Sequence, residues 1–214
     1  MLKVRREAAF FFFIKYLFMN ELLIEVAAYI NQLLDLQLSP DLRFHNKSHT
    51  ADVVEMANRL GKFSRLNKHD LQKLQVAAWF HDAGYCYSYS GHEDNSVALS
   101  IRFLRSANCA EEFITDVVAI INSTRIPQEP ESLLEKIICD ADLAHLASED
   151  YPLYAARLRT EWELCLNKTY TDKQWDEGNL DLMQHHRYFT AYGRKVLETA
   201  KQKNALLIAS RLQG

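Results

Sequence analysis

The chain has 214 residues, of which 48% are hydrophobic and 25% charged, so it is long enough to bury the core of one globular domain. Its formal net charge of -3 gives no reason to expect bulk nucleic acid or an anionic membrane as a partner. Only six glycines and four prolines occur, which is typical of long helices rather than of a turn-rich β architecture. We therefore expect a single all-α domain.

The N-terminal segment MLKVRREAAFFFFIKYLF begins with basic residues and continues as a mostly apolar run. This order resembles the start of a signal peptide, but Lys15 interrupts the run, which is too short to span a bilayer. We interpret residues 1–18 as a non-native or dispensable extension ahead of a start at Met19, and residues 19–214 as the domain. A membrane-surface anchor is the alternative, and expression from Met19 would test it.

Apolar residues over 22–34 recur at the spacing of one helix face and predict a first helix. The stretch HNKSHTADVVEMANRLGKF repeats the pattern and predicts a second helix that stops at Gly61. NKHDLQKLQVAAWFHDAG predicts a third, with Asn67 near its cap and Gly84 just past its end. Further helices are predicted at 93–107, 110–124, 131–147, 150–166 and 184–211. No stretch shows the sustained alternation of a strand between turn signals.

The cysteine pattern indicates the cellular compartment in which the protein is expected. The four cysteines form no CxxC pair and have no regular spacing (Cys86, Cys109, Cys139 and Cys165). Free, buried thiols in a reducing cytosol are the simplest interpretation of such a set. We therefore expect a cytoplasmic protein.

Titratable residues interrupt the apolar faces of three predicted helices. His45 and His49 are four residues apart and would share one face of a helix. His81 and Asp82 directly follow the apolar run AAWF, and two further aspartates lie within the apolar run IICDADLAHL. Buried ionisable groups are costly unless they are paired or bound to a metal. Imidazoles and carboxylates from three helices suit a divalent ion such as Mn, Mg, Fe, Co, Ni or Zn, and the absence of cysteine argues against a structural zinc site.

Taken together, these stretches resemble the HD superfamily of metal-dependent phosphohydrolases. The matching segments are FHNKSHTADVV, LQVAAWFHDAGY, GHEDNS and IICDADLAHL. The later stretches YPLYAARLRTEWE and HHRYFTAYGRKVLETAKQKN are similar to the C-terminal helices of small stand-alone bacterial members. The resemblance extends from about residue 20 to the C terminus, and it implies a helical bundle of the HD-domain type.

The resemblance also implies a set of metal ligands, namely His49, His81, Asp82 and Asp142. The second aspartate of DAD matches the family's Ala-Asp step, which leaves Asp140 to an outer contact or a helix end. Superfamily members with two metals carry further histidines. His92 matches one of these, but residues 121–125 offer no histidine for the other. We therefore expect one divalent metal ion, and the missing histidine also counts against the mixed-valence di-iron oxygenases that share the fold.

The predicted activity is hydrolysis of a phosphomonoester or phosphodiester in a nucleotide or another small phosphorylated metabolite. Asp82 is predicted to bind the metal and to orient or deprotonate the attacking water, and His45 to meet the phosphate or protonate the leaving oxygen. The predicted substrate contacts are His92, Lys47 and Arg125. A catalytically silent module that senses a nucleotide is the alternative, and a di-iron oxygenase is a second one. We expect no membrane partner, and a homodimer is left open.

Overall fold

The structure, a computed structural model, describes residues 21–213. Within this range the chain forms helices and connecting loops without a strand, so the all-α prediction is confirmed. The predicted extension and the start at Met19 lie outside the described residues. Among the helices of 21–213, none combines the length and the apolar character needed to cross a membrane.

Nine α-helices occur between residues 21 and 213. They are α1 (21–37), α2 (Lys47–Phe63), α3 (Lys68–Phe80), α4 (His92–Ser106), α5 (Glu111–Asn122), α6 (Leu133–Asp142), α7 (Tyr151–Leu166), α8 (Asp172–His185) and α9 (Glu198–Gln213). Short 3-10 turns follow α3 at Ala83–Cys86 and α6 at Leu143–Ala147. A π-helical turn at Gly193–Leu197 leads directly into α9.

The C-terminal third differs from the predicted helix pattern. A single helix is predicted over 184–211, whereas α8 ends at His185 and residues 186–190 form a loop before the last helix. The sequence predicts no helix at α8, because this helix is polar around most of its surface and buries only Trp175 and Met183. An amphipathic pattern of that weakness is hard to distinguish from a loop.

Gly61 lies inside α2 rather than at its end, so this predicted boundary is wrong. A Cβ atom at Gly61 would lie 2.7 Å from Leu71 Cδ1, and the glycine therefore permits close packing between α2 and α3. The helix continues to Phe63. Asn67 caps α3 as predicted, since its side chain accepts a hydrogen bond from the backbone N–H of Asp70.

The main core holds the three helices that carry the predicted metal ligands. α2 packs against α3 and α6, and α3 also contacts α6. Their inner faces are fully buried, as at Leu60, Leu74 and Ile137. All four cysteines lie in the described range and are free. This packing brings the C-terminal ends of α3 and α6 together with the first turn of α2.

Asp140 connects α6 to the C-terminal region. Its buried carboxylate accepts hydrogen bonds from the backbone N–H groups of Phe189 and Thr190 at 2.7 and 2.9 Å. The hydroxyl of Thr190 donates to the same carboxylate at 2.6 Å. These contacts hold the loop that precedes the last helix, in agreement with the outer or helix-end contact predicted for Asp140.

Candidate metal centre

His49 lies in the first turn of α2, where a capping residue fixes the backbone. The side chain of Asn46 accepts hydrogen bonds from the N–H groups of Ser48 and His49 at 2.9 and 3.3 Å. The His49 ring packs against Phe44 with ring centroids 4.7 Å apart, and the residue is only 3% exposed. The imidazole therefore lies buried against the interior of the bundle.

His81 and Asp82 lie where the chain leaves α3. His81 is the C-terminal cap of the helix, and its Nδ1 is 2.8 Å from the carbonyl oxygen of Ala78. Nδ1 therefore donates the proton, which leaves Nε2 as the nitrogen that can act as a ligand. Neighbouring side chains on a helix diverge by about 100°, and the exit from α3 is what allows both side chains to approach one point.

Four side chains from three helices approach one buried point. Three of them, His49, His81 and Asp142, each place a potential ligand atom within 4.8 Å of the other two, and Asp82 lies beside the two histidines. His49 Nε2 is 3.3 Å from both Asp82 Oδ2 and Asp142 Oδ1. His81 Nε2 is 3.2 Å from Asp82 Oδ2 and 3.7 Å from Asp142 Oδ1. Within the described chain, His49 Nε2, His81 Nε2 and Asp82 Oδ2 are buried without a hydrogen-bond partner. Buried polar atoms are normally paired, so these unpartnered atoms fit a cation bound between them.

The electrostatics of the cluster favour positive charge at this point. Burial alone would lower the pKa of His49, but the carboxylates of Asp142 and Asp82 outweigh burial and raise this pKa to about 10. Burial alone would raise the pKa of Asp82, yet the neighbouring His81 and His49 hold it well below its ordinary value. A proton or a divalent cation can supply the positive charge that the carboxylates favour.

Gln128, in the loop before α6, contacts the second oxygen of Asp142. Its Nε2 donates to Asp142 Oδ2 at 3.4 Å, while Oδ1 of the same carboxylate faces the two histidines. Gln128 Oε1 is itself buried and lacks a partner among the described atoms. The sequence does not predict this residue, because an irregular loop has no periodicity that indicates where a side chain points.

His92 lies on the other side of Asp82 from the converging histidines. Its Nε2 is 3.3 Å from Asp82 Oδ1, whereas Oδ2 faces His49 and His81. Its ring stacks on Tyr85, with centroids 3.8 Å apart and planes tilted by 15°. The structure thus brings His92 beside the site, and its role as a phosphate contact or as a ligand of a second metal stays a prediction.

Gly84 positions His92 by allowing two backbones to meet. A Cβ atom at Gly84 would lie 1.8 Å from the carbonyl oxygen of His92, a distance that no side chain can occupy. The N–H of Gly84 donates to Ser96 Oγ at 2.9 Å. The turn after α3 is therefore fixed against the first turn of α4.

His45 lies beside the converging residues in a cluster of rings. The Tyr85 ring contacts both His45 and His92, with centroid distances of 4.4 and 3.8 Å, and the two imidazole centroids are 6.5 Å apart. The rings of His45 and His49 have centroids 5.7 Å apart. His45 is therefore adjacent to the candidate metal centre without belonging to its converging set.

The two predicted cationic contacts to substrate are held in ion pairs. Lys47 donates to the carboxylate of Asp35 on α1 at 2.8 and 2.9 Å. Arg125 Nη1 is 3.6 Å from Glu93 Oε2, and that oxygen is 3.7 Å from His92 Nδ1. Arg125 is thus linked to the site through α4, whereas Lys47 is paired with α1. Binding of substrate by either residue stays a prediction.

A cavity of about 200 Å³ opens beside His49 and Asp142. Its lining includes Tyr154 of α7, whose hydroxyl donates to Asp52 Oδ2 at 3.0 Å. His145 also lines the cavity; burial and the nearby His49 lower the pKa of His145 to about 4, so its ring is neutral near pH 7. The cavity gives a ligand access to the converging side chains from the side of α2 and α7.

Comparisons with known proteins bear on the domain family and on the fold. A family model for the HD domain matches residues 46–147, which include all four converging residues. A predicted HD superfamily hydrolase from an uncultured Thermotogales bacterium has 20% identity and a TM-score of 0.59, covering 88% of this chain and 90% of its own. The Lin1889 protein from Listeria innocua has 16% identity and a TM-score of 0.63, covering 91% and 97%. A protein from Lactobacillus plantarum has 17% identity and a TM-score of 0.59, covering 89% and 93%.

The search among curated proteins gave no match. The sequences of the solved structures are distant from this chain, so the likeness shows a shared fold and no more. The family match confirms the prediction of an HD domain over residues 46–147.

Proposed function

We propose that this HD-domain protein is a metal-dependent phosphohydrolase acting on a phosphomonoester or phosphodiester of a small metabolite, with a nucleotide as one candidate. The observation that supports this proposal is the convergence of His49, His81, Asp82 and Asp142, three of whose buried atoms have no partner in the described chain. One of the proteins with the same fold is described as a predicted HD superfamily hydrolase, which supports the reaction class.

One divalent ion would be held by His49 Nε2, His81 Nε2 and one oxygen each of Asp82 and Asp142. Two imidazoles and two carboxylates suit Mn, Mg, Fe, Co, Ni or Zn, and water and substrate would complete the ligands of such an ion. When bound, such an ion lowers the pKa of a coordinated water and polarises a phosphoryl oxygen.

Asp82 orients the attacking water in this proposal. Its Oδ2 faces His49 and His81, and its Oδ1 points to the opposite side, toward His92. As an ionised carboxylate, Asp82 accepts a hydrogen bond from water and receives the proton that the water releases.

The two imidazoles that contact Tyr85 act on the phosphate and the leaving group. His92 contacts the phosphate, since it adjoins the outer oxygen of Asp82. His45 protonates the leaving oxygen. Both rings stack on Tyr85, and their own centroids are 6.5 Å apart with planes tilted by 39°.

The test combines metal analysis with an activity panel on the full chain. We expect one metal ion per chain and hydrolysis of at least one phosphoester with Mn, Mg, Fe, Co, Ni or Zn. A chelator should abolish this activity and added metal should restore it. Asp82→Asn should lose the activity, whereas Asp181→Asn, an exposed aspartate on α8, should keep it.

Other results would contradict the proposal in different ways. Bound metal without hydrolysis of any ester, together with retained nucleotide binding, would favour the silent sensor. Two irons per chain together with oxygen consumption would favour the oxygenase. Two metal ions per chain together with hydrolysis would refute only the expectation of a single metal and would leave the proposed activity standing.

A further inference from the structure

Glu161 is a buried carboxylate on α7, outside the residues matched by the HD-domain model. Its side chain has no exposed surface. Oε2 accepts the backbone N–H groups of Phe44 and His45 at 2.8 and 3.0 Å. Oε1 accepts the hydroxyl of Tyr89 at 3.0 Å and also contacts Nδ1 of the His45 ring. A carboxylate is buried at low cost only when it is satisfied in this way, so the four contacts explain its position.

The charge state of Glu161 determines which nitrogen of His45 carries the shared proton. Burial alone would raise the pKa of Glu161, but the His45 side chain and the two backbone N–H groups hold it below its ordinary value. An ionised carboxylate can only accept hydrogen bonds. The proton between the two side chains therefore belongs to His45 Nδ1, and Nε2 is the nitrogen left on the side of Tyr85, whose hydroxyl is 3.4 Å away.

We propose that Glu161 is a positioning residue that keeps one proton on His45 Nδ1 and fixes the orientation of the ring, so that His45 in its doubly protonated form delivers the second proton from Nε2 to the leaving oxygen of the substrate. The inference rests on the proposed hydrolysis. In the step, the oxygen of the attacking water forms the new bond to phosphorus, and its proton passes to Asp82. The bond to the leaving oxygen breaks with its electron pair on that oxygen, which takes the Nε2 proton of the doubly protonated His45 and leaves the neutral ring with its proton on Nδ1. His45 keeps its Nδ1 proton and regains the other proton from solvent.

A purely structural role for Glu161 is the competing explanation, because the same carboxylate also holds the backbone at Phe44 and His45. The acidity of the leaving group distinguishes a positioning role of Glu161 from a purely structural one. An acidic leaving group such as p-nitrophenolate needs little protonation, whereas an alkoxide leaves poorly without a proton. A structural defect would slow the hydrolysis of both kinds of ester alike.

The kinetic test therefore compares p-nitrophenyl phosphate with an alkyl phosphate, or the corresponding diesters, under one metal. We expect Glu161→Gln to lower kcat for the alkyl ester by about 100-fold, the size typical of a lost proton transfer. For the p-nitrophenyl ester we expect a change of a few fold. In a His45→Gln background, Glu161→Gln should cause no further loss. Equal losses on both esters, or additive losses in the double variant, would overturn the proposal.

Tyr89→Phe is the matched control. It removes a hydrogen bond from the same oxygen of Glu161 without removing a direct partner of the His45 ring. We expect this variant to leave the ratio of the two rates unchanged. A loss confined to the alkyl ester in Tyr89→Phe would show that any disturbance of the Glu161 surroundings acts in the same way, which would contradict the proposal.

A second readout does not depend on activity. Long-range ¹H–¹⁵N NMR of the chain loaded with Mg or Zn reports the tautomer of each neutral histidine, and His45→Gln assigns the His45 signals. We expect Nδ1–H in the wild type and a shift toward Nε2–H in Glu161→Gln. A wild-type His45 protonated on Nε2 overturns the inference even if the variant fails to fold. Absence of hydrolysis in the wild type would instead refute the proposed function, while the spectrum still reports on the pairing.

Discussion

Asp82 presents one carboxylate oxygen to His92 and the other to the converging histidines. The distance from His92 Nε2 to Asp82 Oδ1 is 3.3 Å, and Asp82 Oδ2 is 3.2 and 3.3 Å from His81 and His49. A carboxylate in this position could bridge two metal ions or could bind one ion and leave its outer oxygen to water and phosphate. The lack of a histidine at residues 121–125 favours the second arrangement. Thr124 lies there instead, and its hydroxyl donates to the carbonyl oxygen of Ile121.

Replacing His92 distinguishes these two arrangements. We expect His92→Ala to keep one metal ion per chain and to lower kcat/KM by about 10- to 100-fold, because it removes a contact to the developing charge on the phosphate. Metal content by mass spectrometry and steady-state kinetics measure the two effects. His185→Ala is the control, since His185 is an exposed histidine on α8. A fall from two ions to one in His92→Ala would show that His92 binds a second metal.

Gln128 provides a test of support for a metal ligand. Its amide holds one oxygen of Asp142, so Gln128→Ala should loosen that carboxylate and weaken metal binding by about 10- to 100-fold. Competition with a chelating dye would measure the dissociation constant. Gln184→Ala, an exposed change on α8, should leave it unaltered. An unchanged affinity in Gln128→Ala would show that Asp142 is held by its own helix.

The sequence predicts the amphipathic helices and the converging residues better than it predicts contacts between distant parts of the chain. Helices with a continuous apolar face, such as α2 and α5, are found from their periodicity, whereas the polar α8 is not. The four converging residues lie in recognisable local motifs. Glu161 and His45, by contrast, are 116 residues apart, and Gln128 reaches Asp142 from an irregular loop. Such contacts depend on how helices and loops dock, which local spacing does not encode.

The stability of the metal-free protein should depend on pH through Glu161. Its pKa in the folded chain is lowered, because the His45 side chain and backbone N–H groups outweigh the effect of burial. Its ionised form therefore stabilises the fold above the unfolded-state pKa of about 4.3, and this contribution is lost as the pH falls through the folded-state pKa. We expect the difference in unfolding free energy between the wild type and Glu161→Gln to be constant from about pH 7 to pH 5 and to shrink at lower pH.

Urea denaturation across this pH range measures the effect in the presence of a chelator. Glu149→Gln, an exposed substitution in the loop before α7, controls for the loss of a carboxylate as such. The same pH dependence in both variants would contradict a specific contribution from Glu161.

The contact between Gly84 and the first residue of α4 gives the sharpest steric test. Gly84→Ala would place a methyl group 1.8 Å from the carbonyl oxygen of His92, so the turn after α3 and the start of α4 must move apart. We expect a loss of unfolding free energy of about 1–3 kcal/mol, and a larger proportional loss of activity because His92 moves away from Asp82. Gly178→Ala is the matched control: apart from its chain neighbours and the nearby backbone of α8, no described atom lies within 4 Å of the added carbon. Since alanine favours a helix over glycine by about 1 kcal/mol, Gly178→Ala should stabilise the chain and leave its activity unchanged. Thermal or urea unfolding with parallel kinetics compares the two, and wild-type activity in a folded Gly84→Ala variant would show that the spacing of His92 and Asp82 does not matter for the reaction.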